Sequence, residues 1–195
     1  MPEANEWGLA IDPEHPHLGG YVPGGDPATW YPDLWKWVVE ERRVKSVLDV
    51  GCGEGHTVRF FRELGIAAWG IDGIAQDGPT IIQHDYTLGF LEPVLDGVDL
   101  VWSCEFVEHV EERYARNFLS TFACARFVLM THGEPGQSGH HHVNNQTGDY
   151  WKGAMAAIGY EFDEVLTAQA RGLASANEDP YNHFRRSGLA FRRYE

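Results

Sequence analysis

Basic residues, cysteines and long apolar runs are all scarce in this 195-residue sequence, and each shortage narrows what the chain can be. Fifteen Lys and Arg stand against 29 Asp and Glu, a formal net charge of −14. So acidic a surface repels phosphate backbones, which disfavours nucleic acid as a partner. The main basic cluster, Arg185, Arg186, Arg192 and Arg193, lies near the C-terminal end and reads as solvated charge balance. No stretch of 18 apolar residues exists, so no membrane span is expected. Residues 1–8 lack the basic, apolar pattern of a secretory signal. Cys52, Cys104 and Cys124 are odd in number and far apart in sequence, each in or beside an apolar run. That excludes a thiolate zinc site built from neighbours and predicts reduced thiols in a cytoplasmic setting.

What is present is a globular composition, 43% hydrophobic, at a length that suits one core. Residues 1–30 are rich in Gly and Pro and read as an irregular arm ahead of one domain over residues 31–195. Thr29 or Asp33 is placed to cap a helix running to about Arg43. Apolar runs at 46–50, 67–71, 80–83, 98–103, 126–131, 160–166 and 188–194 read as seven strands. Helical spacing fills residues 56–64, 111–124 and 147–158 between them. The alternation predicts a doubly wound α/β fold with a mostly parallel seven-stranded sheet and an antiparallel last strand. Ligands of such sheets bind beyond the carboxyl ends of the strands.

One strand end stands out: Val47-Leu48-Asp49-Val50-Gly51-Cys52-Gly53-Glu54-Gly55. Three glycines at alternate positions let the chain turn tightly and let a ligand approach the backbone. The helix behind them offers free N–H groups. The spacing is one residue shorter than the dinucleotide fingerprint, which disfavours a nicotinamide enzyme. This run resembles motif I of the class I methyltransferases that use S-adenosylmethionine (SAM). The resemblance implies a SAM site built from Asp49, Gly51, Cys52 and Gly53, with Asp72 and Gly73 at the ribose. It also places Asp85 and Tyr86 near the adenine and counts Glu105 among the cofactor-binding residues.

The fourth strand ends in Glu105, followed by Glu108 and His109, an i, i+3, i+4 spacing that shares a helix face. Two carboxylates and an imidazole can hold a divalent ion or form a general base with an orienting acid. They can equally cap and orient the loop. The pattern is similar to that of ubiquinone-biosynthesis O-methyltransferases and of metal-dependent small-RNA 2′-O-methyltransferases, where a later His completes it. By that resemblance His142, with His141 as understudy, joins Glu105, Glu108 and His109 around Mg, Mn, Fe or Zn. Glu108, His109 and His142 are accordingly the expected catalytic residues. The implied reaction is methylation of a hydroxyl on a sugar or other polar small molecule. An RNA 2′-O-methyltransferase and a non-catalytic SAM-binding protein are the alternatives. The aromatics Trp7, Tyr21, Trp30 and Tyr31, or the segment at Tyr150-Trp151, are candidates for a lid.

Overall fold

The computed structural model describes residues 3–4, 8–15, 17–74, 78–92 and 97–194. Residues 1–30 are not wholly irregular. Strands β1 (Glu3–Ala4), β2 (Ala10–Ile11) and β3 (Gly19–Tyr21) form a small antiparallel sheet. A 3-10 turn follows at Pro27–Thr29, capped by the Asp26 side chain. Helix α1 (Pro32–Glu41) then starts behind Tyr31 without a side-chain cap, so neither Thr29 nor Asp33 caps it. Pro32 at its first position sets φ for the helix and needs no hydrogen-bond partner there.

The main domain alternates β4 (Ser46–Val50), α2 (His56–Glu63), β5 (Ala67–Asp72), β6 (Ile81–Gln83), β7 (Val98–Ser103), α3 (Ala115–Phe122) and β8 (Ala125–Met130). It continues with α4 (Gly148–Ala157), β9 (Tyr160–Phe162), α5 (Glu164–Ala174), α6 (His183–Ser187) and β10 (Leu189–Arg193). The sheet order is β6-β5-β4-β7-β8-β10-β9, with β10 antiparallel to both neighbours. This is the doubly wound, mostly parallel seven-stranded sheet that the alternation predicts. Val47, Leu48, Asp49 and Val50 of β4 are all buried, because helices cover both faces of the sheet.

One face packs against α1, α2, α5 and α6 through Trp35, Phe61, Ala170 and Phe184. The other packs against α3 and α4 through Phe118, Phe122, Trp151 and Met155. Both layers contribute apolar stripes at helical spacing. After β4 the chain goes to β5 on one side, and only later to β7 on the other. The crevice beyond the carboxyl ends of β4 and β7 is therefore the switch point of the sheet.

Two differences from the sequence reading bear on the site. The apolar run 160–166 is only partly strand: Asp163 accepts from the Leu166 N–H at 2.8 Å and starts α5. Burial then follows a helical stripe at Leu166, Ala170 and Ala174, while Val165 stays exposed. The helix expected over 111–124 is shorter, with a 3-10 turn at Glu112–Tyr114 ahead of it.

Candidate active site

The loop after β4 and the loop after β7 meet at the switch point. Ser103 Oγ donates to the Val50 carbonyl at 2.9 Å and ties the two strand ends together. Gly51 has φ +81°, and a Cβ there would strike Phe106 at 2.6 Å, so only glycine suits this turn. Beyond the turn opens a cleft of about 1370 Å³, lined by Asp49, Gly51, Cys52, Gly53, Asp72, Gly73 and Asp85 from the first half of the sheet. Glu105, His109, His142 and His183 line it from the second half.

Asp49 is buried, and that burial, together with the nearby Asp72 carboxylate, pushes its pKa up to about 8 against a partial offset from the Thr57 hydroxyl. Asp72 is also raised by burial, although its oxygens accept from the N–H groups of Gly53 at 2.8 Å and Ile74 at 3.0 Å. Two acids held together out of water are a poor arrangement alone and a good one beside a cation. Bare glycine backbone and this acid pair fit the sulfonium and ammonium of SAM. The Cys52 thiol is raised by burial, so it is not a reactive thiolate. Burial alone would raise Asp85, but hydrogen bonds from His17 at 3.0 Å and from the Thr87 N–H at 2.8 Å outweigh it and hold Asp85 low.

Tyr86 does not offer a free face for stacking. Its ring is buried against His84, Phe106 and Phe118, and its hydroxyl donates to Thr121 Oγ1 at 3.1 Å. Of the lid candidates, Tyr31 and Trp151 are likewise core residues, and Trp7 lies outside the described residues. Tyr21 is different: its Cβ would stand 3.2 Å from a Cβ on Gly53, directly over the glycine turn. The Gly24 N–H reaches Glu54 Oε2 at 2.9 Å. The arm thus runs across the cofactor side of the cleft, a placement that composition alone did not reveal.

The segment after β7 is not a continuous helix. Glu105 takes φ +52°, unusual for a residue with a side chain, and Val107–His109 form a 3-10 turn. The helical-face argument for Glu105, Glu108 and His109 therefore fails, although the Glu105 carboxyl still abuts that of Glu108 and its charge acts on His109. His183 Nδ1 lies 3.0 Å from Glu105 Oε1. Thr131 Oγ1 accepts from the Glu105 N–H at 2.8 Å. The group of metal-compatible atoms found among the described residues leaves Glu105 out.

Glu108, His109 and His142 do come together, each offering a ligand atom within 4.8 Å of the others. The histidine loop is pinned there by the Val143 and Asn144 N–H groups, which both donate to the Glu108 carbonyl at 3.0 Å. Glu108 is fully buried, and neither carboxylate oxygen makes a geometrically sound hydrogen bond among the described residues, although the Glu105 carboxyl lies against it; Nδ1 of His109 and of His142 is also without a partner. Burial and the Glu105 charge push the Glu108 carboxyl well up. Burial, reinforced by His142, pulls His109 down to about 4, so its imidazole is neutral and open to ligation. His141, at φ +49°, points its ring toward His17 and stands outside this group.

A family model described as "Methyltransferase domain" matches residues 27–165. The chain belongs to the methyltransferase domain family. Solved structures similar to this methyltransferase include magnesium protoporphyrin IX methyltransferase from Synechocystis PCC 6803 with bound SAM. That one is 14% identical with TM-score 0.53, covering 82% of this chain and 76% of its own. A SAM-dependent methyltransferase from Archaeoglobus fulgidus is 16% identical with TM-score 0.55, covering 88% and 96%. The Burkholderia thailandensis 1,6-didemethyltoxoflavin-N1-methyltransferase with bound S-adenosylhomocysteine (SAH) is 12% identical with TM-score 0.58, covering 84% and 77%. Among curated proteins no match was found. The fold is that of the class I SAM-dependent methyltransferases. No helix among the described residues is long and apolar enough to cross a membrane.

Proposed function

We propose that this methyltransferase transfers the methyl group of SAM to a hydroxyl on a sugar or another polar small molecule, with a divalent ion held by Glu108, His109 and His142. The observation that carries the proposal is the buried Glu108 carboxyl, neither of whose oxygens makes a geometrically sound hydrogen bond, beside two unpartnered imidazole nitrogens. A buried acid in this setting holds its proton, as the raised Glu108 pKa indicates, until a cation takes the proton's place. One carboxylate and two neutral imidazoles suit Mn, Fe or Zn better than Mg. Such an ion supplies polarisation of the acceptor oxygen, which a weak hydroxyl nucleophile requires and a neutral amine does not.

Asp49, Asp72 and the glycine turn hold the cofactor, and Asp85 reads its adenine end. The arm over residues 8–30 acts as a lid on that crevice. The acidic net charge favours a small acceptor over a nucleic acid, and only three cysteines, scattered in the sequence, suit a reducing cytoplasm. The test is a mass-shift screen of hydroxyl and amine acceptors with SAM, with and without Mn2+. Methylation of hydroxyls that needs the ion is expected. Methylation confined to amines, indifferent to metal, would overturn the reading.

A further inference from the structure

If Glu108, His109 and His142 bind an ion, none of them is free to take the proton that the acceptor hydroxyl must lose. We infer that His183, positioned by Glu105, is the general base of the reaction. The inference rests on the hydroxyl reading above.

His183 Nδ1 is 3.0 Å from Glu105 Oε1, and both side chains are mostly buried at the cleft wall, 17% and 19% exposed. A carboxylate on Nδ1 fixes the neutral imidazole in the tautomer whose Nε2 carries a lone pair. No described group is bonded to that Nε2, and the residue lines the cleft.

The pair is also rigidly mounted. Glu105 sits in a left-handed conformation anchored to Thr131. Left-handed backbone at a residue with a side chain persists where the surroundings enforce it, and such positions gather at functional sites. His183 opens α6 behind Asn182, which is fully buried and bonds the carbonyls of Ala174 and Asn177 at 2.7 and 2.8 Å. The next residue, Phe184, is stacked on Trp102 with ring centroids 5.1 Å apart. Burial alone would lower His183, but Glu105 outweighs it and the net shift is upward. Asp26 adds to that rise, while Arg186 opposes it. His142 also lies within electrostatic range of His183.

The step balances. The acceptor oxygen forms a bond to the methyl carbon, the carbon–sulfur bond breaks with its electron pair left on sulfur, and the hydroxyl proton moves to His183 Nε2. One cation, the sulfonium, is lost from the cleft as another, the imidazolium beside Glu105, appears.

A structural ion pair joining α6 to the end of β7 would look the same at rest, so the test separates the two. His183→Asn keeps an N–H donor near the position of Nδ1 but cannot accept a proton. Catechol, methyl glucoside, glycerol and a short RNA oligonucleotide are offered with SAM and Mn2+. For whichever probe the wild type methylates, H183N is expected to lower kcat by about 10²–10⁴-fold while leaving KM for SAM nearly unchanged. Glu105→Gln should shift the acidic limb of the kcat profile to lower pH. H183N turnover within about threefold of wild type would overturn the inference. If the wild type methylates no probe, the hydroxyl reading falls. His183 is then judged by diethylpyrocarbonate, which should modify its Nε2, with the pH profile of modification shifted to lower pH in the Glu105→Gln protein. Failure to modify His183 under conditions that modify the exposed His15 overturns the base role.

Discussion

Leu18 of the arm covers Gly73 at the end of β5, so closely that a Cβ on Gly73 would stand 3.7 Å from the Leu18 Cβ. Disulfides span Cβ separations of about 3.5–4.5 Å. Leu18→Cys with Gly73→Cys should therefore form a bond that fastens the arm across the cofactor crevice. Cys104 and Cys124 are buried and Cys52 is wedged against Gly70, so native thiols compete poorly. Once oxidised, the double variant should neither take up nor release SAH on the minutes scale, and dithiothreitol should restore exchange. Stopped-flow fluorescence with SAH checks this; exchange at the wild-type rate in the oxidised protein would exclude a gate.

Glu108, His109 and His142 predict a binding isotherm for Mn2+ without any acceptor. Wild-type protein should bind one ion, and Glu108→Ala or His142→Ala should weaken it by at least about 10-fold. Electron paramagnetic resonance of free Mn2+ measures this directly. Glu105→Ala should weaken binding less than either, because Glu105 touches Glu108 but also engages His183 and Thr131. An equal loss on removing Glu105 would return that residue to the ligand set.

Asp49 predicts a trade between stability and binding. Its folded pKa of about 8 lies far above the ordinary aspartate value. Below the unfolded value both states are protonated and the group contributes nothing. Between the two values the unfolded chain ionises first, so the penalty on folding grows with pH, and above about 8 it stays constant. Each unit of separation corresponds to about 1.4 kcal/mol. Asp49→Asn should thus raise Tm little at pH 4 and by several degrees at pH 8. The same change should weaken SAM binding, since an amide cannot neutralise a cation. A Tm gain that is flat with pH would show that Asp49 is ionised in the folded state.

The parallel sheet was legible because its strands are continuous apolar runs, each closed by a turn or an acid. Motif I was legible because glycine spacing and Asp49 share one short segment. The nearness of Glu108 and His109 was reachable from residue types and spacing, and that of His142 only through the family resemblance. A 3-10 turn, rather than a helix face, brings Glu108 and His109 together, and with φ +52° the Glu105 side chain reaches His183 as well as Glu108. His183 was invisible because its partner lies 78 positions away in the chain, and no local pattern encodes a long-range pair. Helix α5 was missed because Val165-Leu166 extends the apolar look of β9, while the signal that ends the strand is the single cap at Asp163. The arm's three short strands carry too few residues for periodicity to register.

Tyr31 links the arm to the proposed base, and its hydroxyl is the last prediction. It accepts from the Phe184 N–H at 3.0 Å and donates to the Ala28 carbonyl, inside a core where Tyr31 is 2% exposed. Tyr31→Phe keeps the ring contacts with Trp35, Trp102 and Phe184 but strands a buried donor and a buried acceptor. The expected cost is about 1–3 kcal/mol, seen as a fall in Tm of roughly 2–10 °C for a chain of this size. Because the stranded donor lies in the first turn of α6, the loosening should concentrate at His183–Ser187, with faster amide exchange there than in α2. SAH affinity should barely change, since none of the motif I backbone is touched. A stable Y31F protein with unchanged exchange in α6 would mean that the hydroxyl does not hold the helix, and that His183 takes its position from Asn182 and Glu105 alone.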